Sequence, residues 1–212
     1  MPVIFENELF KVKMGKGALK PGYLQLIPKR HIYSFAELNE IEKQNCHTLL
    51  HEIKTIFYLT YGFVPMFWEN GTTYDDYQLN RIYHAHLHVL PHKLSHQAIN
   101  YVNKIHQLKS IDFASNELQE HYKQCFYLLY IDPNERAFIA KKQPAAGQFM
   151  RRIIAAQEQI PLAWDWHEIS HDNNVQLGLQ QLAERFAMMQ NYQEKNSYEI
   201  SPHTDVEKST WQ

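Results

Sequence analysis

Between Ile82 and Pro91 the chain reads Tyr83-His84-Ala85-His86-Leu87-His88-Val89-Leu90, with histidine alternating against apolar residues. An extended strand puts every second side chain on one face. The alternation predicts a strand over 82–90, with Ala85, Leu87 and Val89 facing a core and His84, His86 and His88 standing together opposite. Pro91 stops it. Imidazole serves as base, nucleophile or metal ligand near neutral pH, so three on one face form a candidate site. Thirteen of 212 residues are histidine, so a plain strand lined by histidines competes with that reading.

The neighbouring pattern supplies the scaffold. Leu9 to Lys13 alternates, Gly15-Lys16-Gly17 punctuates, and Gly22 to Ile27 alternates again before Pro28, which predicts a β-hairpin. Ser34 followed by Glu37 has the spacing of a capping box and predicts a helix start. Leu38, Ile41, Cys46, Leu49, Leu50, Ile53, Ile56 and Phe57 then recur mostly every three or four residues up to Gly62, a suitable C-terminal cap. Phe63 to Trp68 reads as a third strand, Asn70-Gly71 as a turn, and 72–81 as a surface loop. Ser95 is positioned to cap a helix through about Leu108, and a short helix is expected near 117–124. Cys125 to Ile131 and Arg136 to Lys142 pair as strands around Asp132-Pro133-Asn134-Glu135. Gln148 to Gln157 and about Asn174 to Met189 read as helices. The polar stretch beyond Tyr192 reads as a disordered tail. With no repeat and no Gly/Ser-rich linker, alternating strands and helices make the fold class α+β.

Charge narrows the partners. Lys and Arg number 21 against 23 Asp and Glu, a formal −2, so no global basic field recruits nucleic acid. Two cysteines, Cys46 and Cys125, do not make a disulfide framework and favour a reducing, cytoplasmic setting. No run of 18 apolar residues and no basic-then-apolar leader is found, so neither a membrane span nor export is expected.

His84 to Leu90 resembles the signature of the histidine triad (HIT) superfamily, His-φ-His-φ-His-φ-φ with φ apolar, and all four φ positions fit. Gly22-Tyr23-Leu24-Gln25-Leu26-Ile27-Pro28-Lys29-Arg30-His31 looks like the family's second strand, commonly Gly-His-x-Leu-Val-Ile-Pro-Lys-x-His. With Trp68-Glu69-Asn70-Gly71 the likeness covers roughly residues 5 to 100. It implies a HIT-like antiparallel sheet with packed helices: a catalytic core over 1–110, an extension over 111–192 packed on it, and a tail over 193–212. Gly147-Gln148-Phe149-Met150-Arg151-Arg152 and Trp164-Asp165-Trp166 resemble the extension of a bacterial HIT-like subgroup.

The resemblance implies hydrolysis or transfer at the α-phosphate of a nucleotidyl substrate, such as a dinucleoside polyphosphate or nucleoside phosphoramidate. His86 matches the family nucleophile that forms a nucleotidyl-histidine intermediate, and His84 and His88 match its supports. Substrate contacts are expected from Tyr23, Asn70, Asn80, Arg81, Gln148, Arg151 and Arg152, with Lys141 and Lys142 as further phosphate candidates. No cofactor or metal is implied, and a homodimer is, unless the extension covers that surface. Three departures bear on substrate: Arg81 and Asn80 replace the usual Ser or Thr and Gln, Tyr23 replaces a histidine, and Asn70 sits earlier than the usual asparagine. His88 favours the hydrolase-like branch, since uridylyltransferase-like relatives carry glutamine there. A weakly catalytic nucleotide-binding module is the alternative. A zinc site using His92 or His96 is a third reading.

Overall fold

The predicted hairpin forms. Phe10–Met14 (β2) pairs antiparallel with Leu24–Pro28 (β3), from Phe10 opposite Pro28 to Met14 opposite Leu24. Phe10, Val12 and Met14 are fully buried on one face of β2, while Lys11 and Lys13 take the other. Ahead of the hairpin lies Val3–Glu6 (β1), a short edge strand that the pattern did not announce. The computed structural model describes residues 1–73, 84–123, 125–141 and 148–199.

The long helix, Glu40–Tyr61 (α1), starts later than Ser34. Ser34 only opens a single 3₁₀ turn, Phe35–Glu37, without a side-chain cap bond, and the Glu37 carboxylate accepts from the Tyr33 N–H instead. The working capping box is Asn39 with Glu42, each side chain accepting the other's backbone N–H at 2.9 Å. Such a cap is worth about 1 kcal/mol. Arg30 reinforces it by donating to both Glu42 oxygens at 2.7 Å, tying the end of β3 to the helix start. Gly62, in the left-handed region at φ 79°, ends the helix as expected.

Met66–Gly71 (β4) begins just after Pro65 and runs through Asn70-Gly71, so the expected turn is strand. Its far side is the reason: Tyr127–Ile131 (β7) pairs with it from Phe67 to Gly71 and prolongs the ladder. The histidine strand is short, Leu87–Leu90 (β5), inserted between β3 and β4. Residues 84–86 leave the ladder where the register reaches Pro28, opposite Ala85, which has no N–H to give; the Ala85 N–H instead donates to the Ile32 carbonyl at 2.8 Å. His96–His106 (α2) is capped by Ser95, whose Oγ accepts from the Ala98 N–H. Lys109–Ile111 (β6), Glu117–Tyr122 (α3), Ala137–Lys141 (β8), Phe149–Gln157 (α4) and Asp172–Glu199 (α5) complete the described elements. The helix expected over about 174–189 is thus longer at both ends.

The fold is α+β: one eight-stranded antiparallel sheet, in the order β1-β2-β3-β5-β4-β7-β8-β6, with packed helices and a C-terminal helix. One face carries Val12, Leu26, Leu87, Val89 and Phe67 under α1 and α5. Burying each such side chain contributes about 2 kcal/mol. Gly178 lets α5 close on this layer, because a Cβ there would sit 2.4 Å from the Gly22 nitrogen. α4 lies against the opposite face, where Arg151 stands over Tyr23. Among the described residues no helix is long and apolar enough to cross a membrane.

Candidate active site

Three adjacent strands bring Gln25, His88 and Trp68 into one row, since Gln25 pairs with His88 and His88 with Trp68. The Trp68 and His88 rings lie nearly parallel, with centroids 4.4 Å apart, and Tyr23 is nearly parallel to both. Tyr23 and Trp68 are buried, which fixes the imidazole of His88 in a rigid aromatic wall. Gly15 permits this arrangement, because a Cβ there would sit 2.4 Å from the Tyr23 ring.

Each histidine has one ring nitrogen assigned by its neighbour. His84 donates its Nε2–H to the Pro28 carbonyl at 2.7 Å. His86 donates its Nδ1–H to the carbonyl of His84 at 2.9 Å, which leaves Nε2 with the lone pair when the ring is neutral. The Tyr23 hydroxyl meets His88 Nδ1 at 2.5 Å. Burial raises the Tyr23 pKa, so the phenol keeps its proton; when it gives that proton to Nδ1, His88 carries its own on Nε2. His86 and His88 are thus both held through Nδ1, with rings edge to face at 4.6 Å.

Electrostatics keep this cluster neutral. Burial lowers the pKa of His86, and Lys13 and His84 push the same way against the bond to the His84 carbonyl. Burial also holds His88 well below the usual range, with further lowering from His86 and Arg151. His84 is lowered by burial too, and His31 contributes from 5.1 Å between ring centroids. At pH 7 an uncharged imidazole at His86 is available as a nucleophile.

The other nominated residues separate into groups. Asn70 lies two residues past Trp68 on the same face of β4, toward the end of the sheet from which His86 enters. Arg151 comes close to the site but is buried and turned inward: Nε donates to the Trp164 carbonyl at 2.8 Å and Nη2 to the Gly17 carbonyl at 2.7 Å. Arg152 lays its guanidinium over the Trp164 ring, 3.3 Å from the centroid. Gln148 precedes α4 in the left-handed region at φ 61°, and Lys141 ends β8 exposed. Asn80, Arg81 and Lys142 lie outside the described residues. His92 faces Glu158 at 2.9 Å rather than the triad, and among the described residues no group of three His, Cys, Asp or Glu side chains could hold a metal ion.

Sequence reasoning passed over Lys11, Lys13, Trp68 and His31 as site residues. The alternation of β2 marked its two lysines as a polar face, but nothing in the linear sequence said that this face continues across β3 to His88.

Neither a scan against protein-family models nor a search of curated proteins finds a match. Solved structures do show likenesses. A hypothetical histidine triad nucleotide-binding protein from Sulfolobus tokodaii matches at 19% identity over 42% of this chain and 58% of its own, with a TM-score of 0.35. A zinc-bound histidine triad family protein from Mycobacterium smegmatis matches at 19% over 46% and 70%, with a TM-score of 0.36. The chain is structurally similar to histidine triad proteins at low identity. It is also similar to a DUF4931 family protein from Bacillus cereus, at 12% over 77% of this chain and 99% of that one, with a TM-score of 0.43. The chain spans under two thirds of the length of the Sulfolobus protein.

Proposed function

We propose that the protein cleaves or transfers a nucleotidyl group at the α-phosphate through a covalent intermediate on His86. The observation that carries this reading is that His86 and His88 are both held through Nδ1, which leaves their Nε2 atoms to a substrate. In the first step the Nε2 lone pair of His86 forms a bond to phosphorus. The bond from phosphorus to the leaving group breaks, and its electron pair departs with that group. The Nε2–H of His88 donates to a phosphoryl oxygen or to the departing atom, where negative charge develops. In the second step water, or another acceptor hydroxyl, attacks phosphorus. The electron pair returns to Nε2, the acceptor's proton passes to solvent or a nearby base, and neutral His86 is restored.

His84 acts through its carbonyl, which holds the His86 ring by Nδ1 and so aims Nε2. Tyr23, nominated as a substrate contact, is better read as the group that sets the His88 tautomer. Nucleotides as the substrate class follow from the likeness of residues 84–90 and 22–31 to the histidine triad signature. The test is turnover of dinucleoside polyphosphates and nucleoside phosphoramidates by wild type and His86→Ala. Turnover by wild type that vanishes in the variant is expected. Equal rates, or tight nucleotide binding by wild type with no product, would contradict the proposal.

A further inference from the structure

We infer that Lys11 and Lys13 form a subsite for a polyanionic leaving group, so that the site selects nucleotidyl substrates with a polyphosphate tail over those with an amine leaving group. The inference rests on the reading of His86 as nucleophile. Lys13 pairs with Gln25, and Gln25 with His88, so these three side chains share one face in a straight row. Two strand spacings separate Lys13 from His88, about 10 Å between Cα atoms. A four-carbon stem covers much of that distance. Lys11 lies two residues along the same face, opposite Ile27, at the end of the sheet where His84 and His86 enter.

Both lysines are partly buried, and neither has a carboxylate partner among the described residues. The acid beside them in register, Glu6, faces Lys29 instead, at 3.6 Å. Two like charges about 6.6 Å apart on one strand repel each other. Lys13 is lowered by burial and by Lys11 accordingly. Their field reaches the site, since Lys13 lowers His86 and Lys11 lowers His84. Unpaired, half-buried cations beside a nucleophile are suited to an incoming anion.

A polyphosphate tail leaving from the α-phosphorus would cross β3 toward β2. When His86 Nε2 bonds to phosphorus, the bridging P–O bond breaks and its electron pair remains on the oxygen of the tail. The charge gained there is what Lys11 and Lys13 would neutralise. An amine leaving group accepts a proton at that point and gains nothing from them.

The test is calorimetric binding of inorganic tripolyphosphate to the full chain, with Lys11→Gln/Lys13→Gln beside Lys109→Gln on the far edge strand β6. Each charge-assisted contact removed costs roughly ten-fold. The double variant should therefore bind tripolyphosphate at least about ten-fold more weakly than wild type, Lys109→Gln within two-fold of it, and Lys11→Arg/Lys13→Arg should recover most of the loss. Binding by the double variant within two-fold of wild type, or an equal loss in Lys109→Gln, overturns the subsite. A wild type that turns over no nucleotide yet shows the lysine-dependent binding would remove the catalytic reading and leave the anion site standing.

Discussion

Consecutive residues of β4, Trp68 and Glu69, send their side chains to opposite faces of the sheet and into two buried polar clusters. On one face Glu69 accepts from the Phe35 N–H at 2.9 Å and from the Tyr127 hydroxyl at 2.5 Å, while Tyr127 accepts from the Ala36 N–H. Both carboxyl oxygens of Glu69 thus have protein partners. On the other face Tyr23 occupies one nitrogen of His88 and a backbone carbonyl occupies one nitrogen of His86, but their Nε2 atoms have no protein partner among the described residues. Arg151 repeats the pattern, with two donors on carbonyls and a buried Nη1 unpartnered. Burial and aromatic packing are common to both clusters. What separates them is that the histidine cluster keeps two Nε2 atoms without a protein partner among the described residues, while both Glu69 oxygens are bonded.

The largest expected effect is on the histidine cluster. His86→Ala should lower turnover by roughly 1,000-fold or more, because no other neutral Nε2 is aimed at the same point. Its thermal midpoint should stay near that of wild type, as His86 makes one backbone hydrogen bond and is only partly buried. Steady-state kinetics and a melting curve on one preparation check both.

Glu69→Gln should produce the opposite pattern, a change in stability with no kinetic change. Burial raises the Glu69 pKa to about 8, against the hydrogen bonds from Tyr127 and Phe35. The folded state therefore holds a proton that the unfolded chain releases near 4.5. With the folded pKa raised, this stabilising contribution is full below the unfolded pKa and is lost as pH rises through about 8. Wild type should lose up to about 4 kcal/mol from this source across the window. Glu69→Gln should flatten that slope in denaturant titrations between pH 5 and pH 8. An unchanged slope would mean that the two clusters do not differ as described.

Tyr23→Phe sharpens the contrast at smaller scale. It keeps the ring stack and removes only the donor to His88 Nδ1. Losing one such bond costs about 1.4 kcal/mol, or roughly ten-fold in kcat. The donor favours neutral His88, so its loss raises the His88 pKa and moves the acid limb of the pH profile upward. A variant that loses stability but keeps the wild-type profile would assign Tyr23 to packing alone.

Local rules made some of this architecture readable. Alternation located β2 and β3, an apolar run before the Asp132-Pro133 turn located β7, Gly62 ended α1 as its type suggests, and Ser95 capped α2. The errors come from long-range partners. Asn70-Gly71 has turn chemistry but stays in strand because β7 pairs beside it, and Ser34 loses the helix start to Asn39 because Arg30 holds Glu42. At the site, the alternation of the three histidines was legible, and Arg151 was expected as a substrate contact. Its inward direction was not, because nothing in the linear sequence joins α4 to the carbonyls of Gly17 and Trp164. Lys11 and Lys13 became neighbours of the histidines only once cross-sheet register was known.

The most direct test of the central claim is to quench the wild-type reaction in its first turnovers, digest under alkaline conditions that preserve phosphoramidate bonds, and find the modified peptide by mass spectrometry. A nucleoside monophosphate on the peptide containing His86, absent from His86→Ala and depleted on a chase with unlabelled acceptor, is the predicted result. Product formation with no adduct at any time, or an adduct on His84 or His88 instead, would contradict the assignment of His86 as the attacking residue.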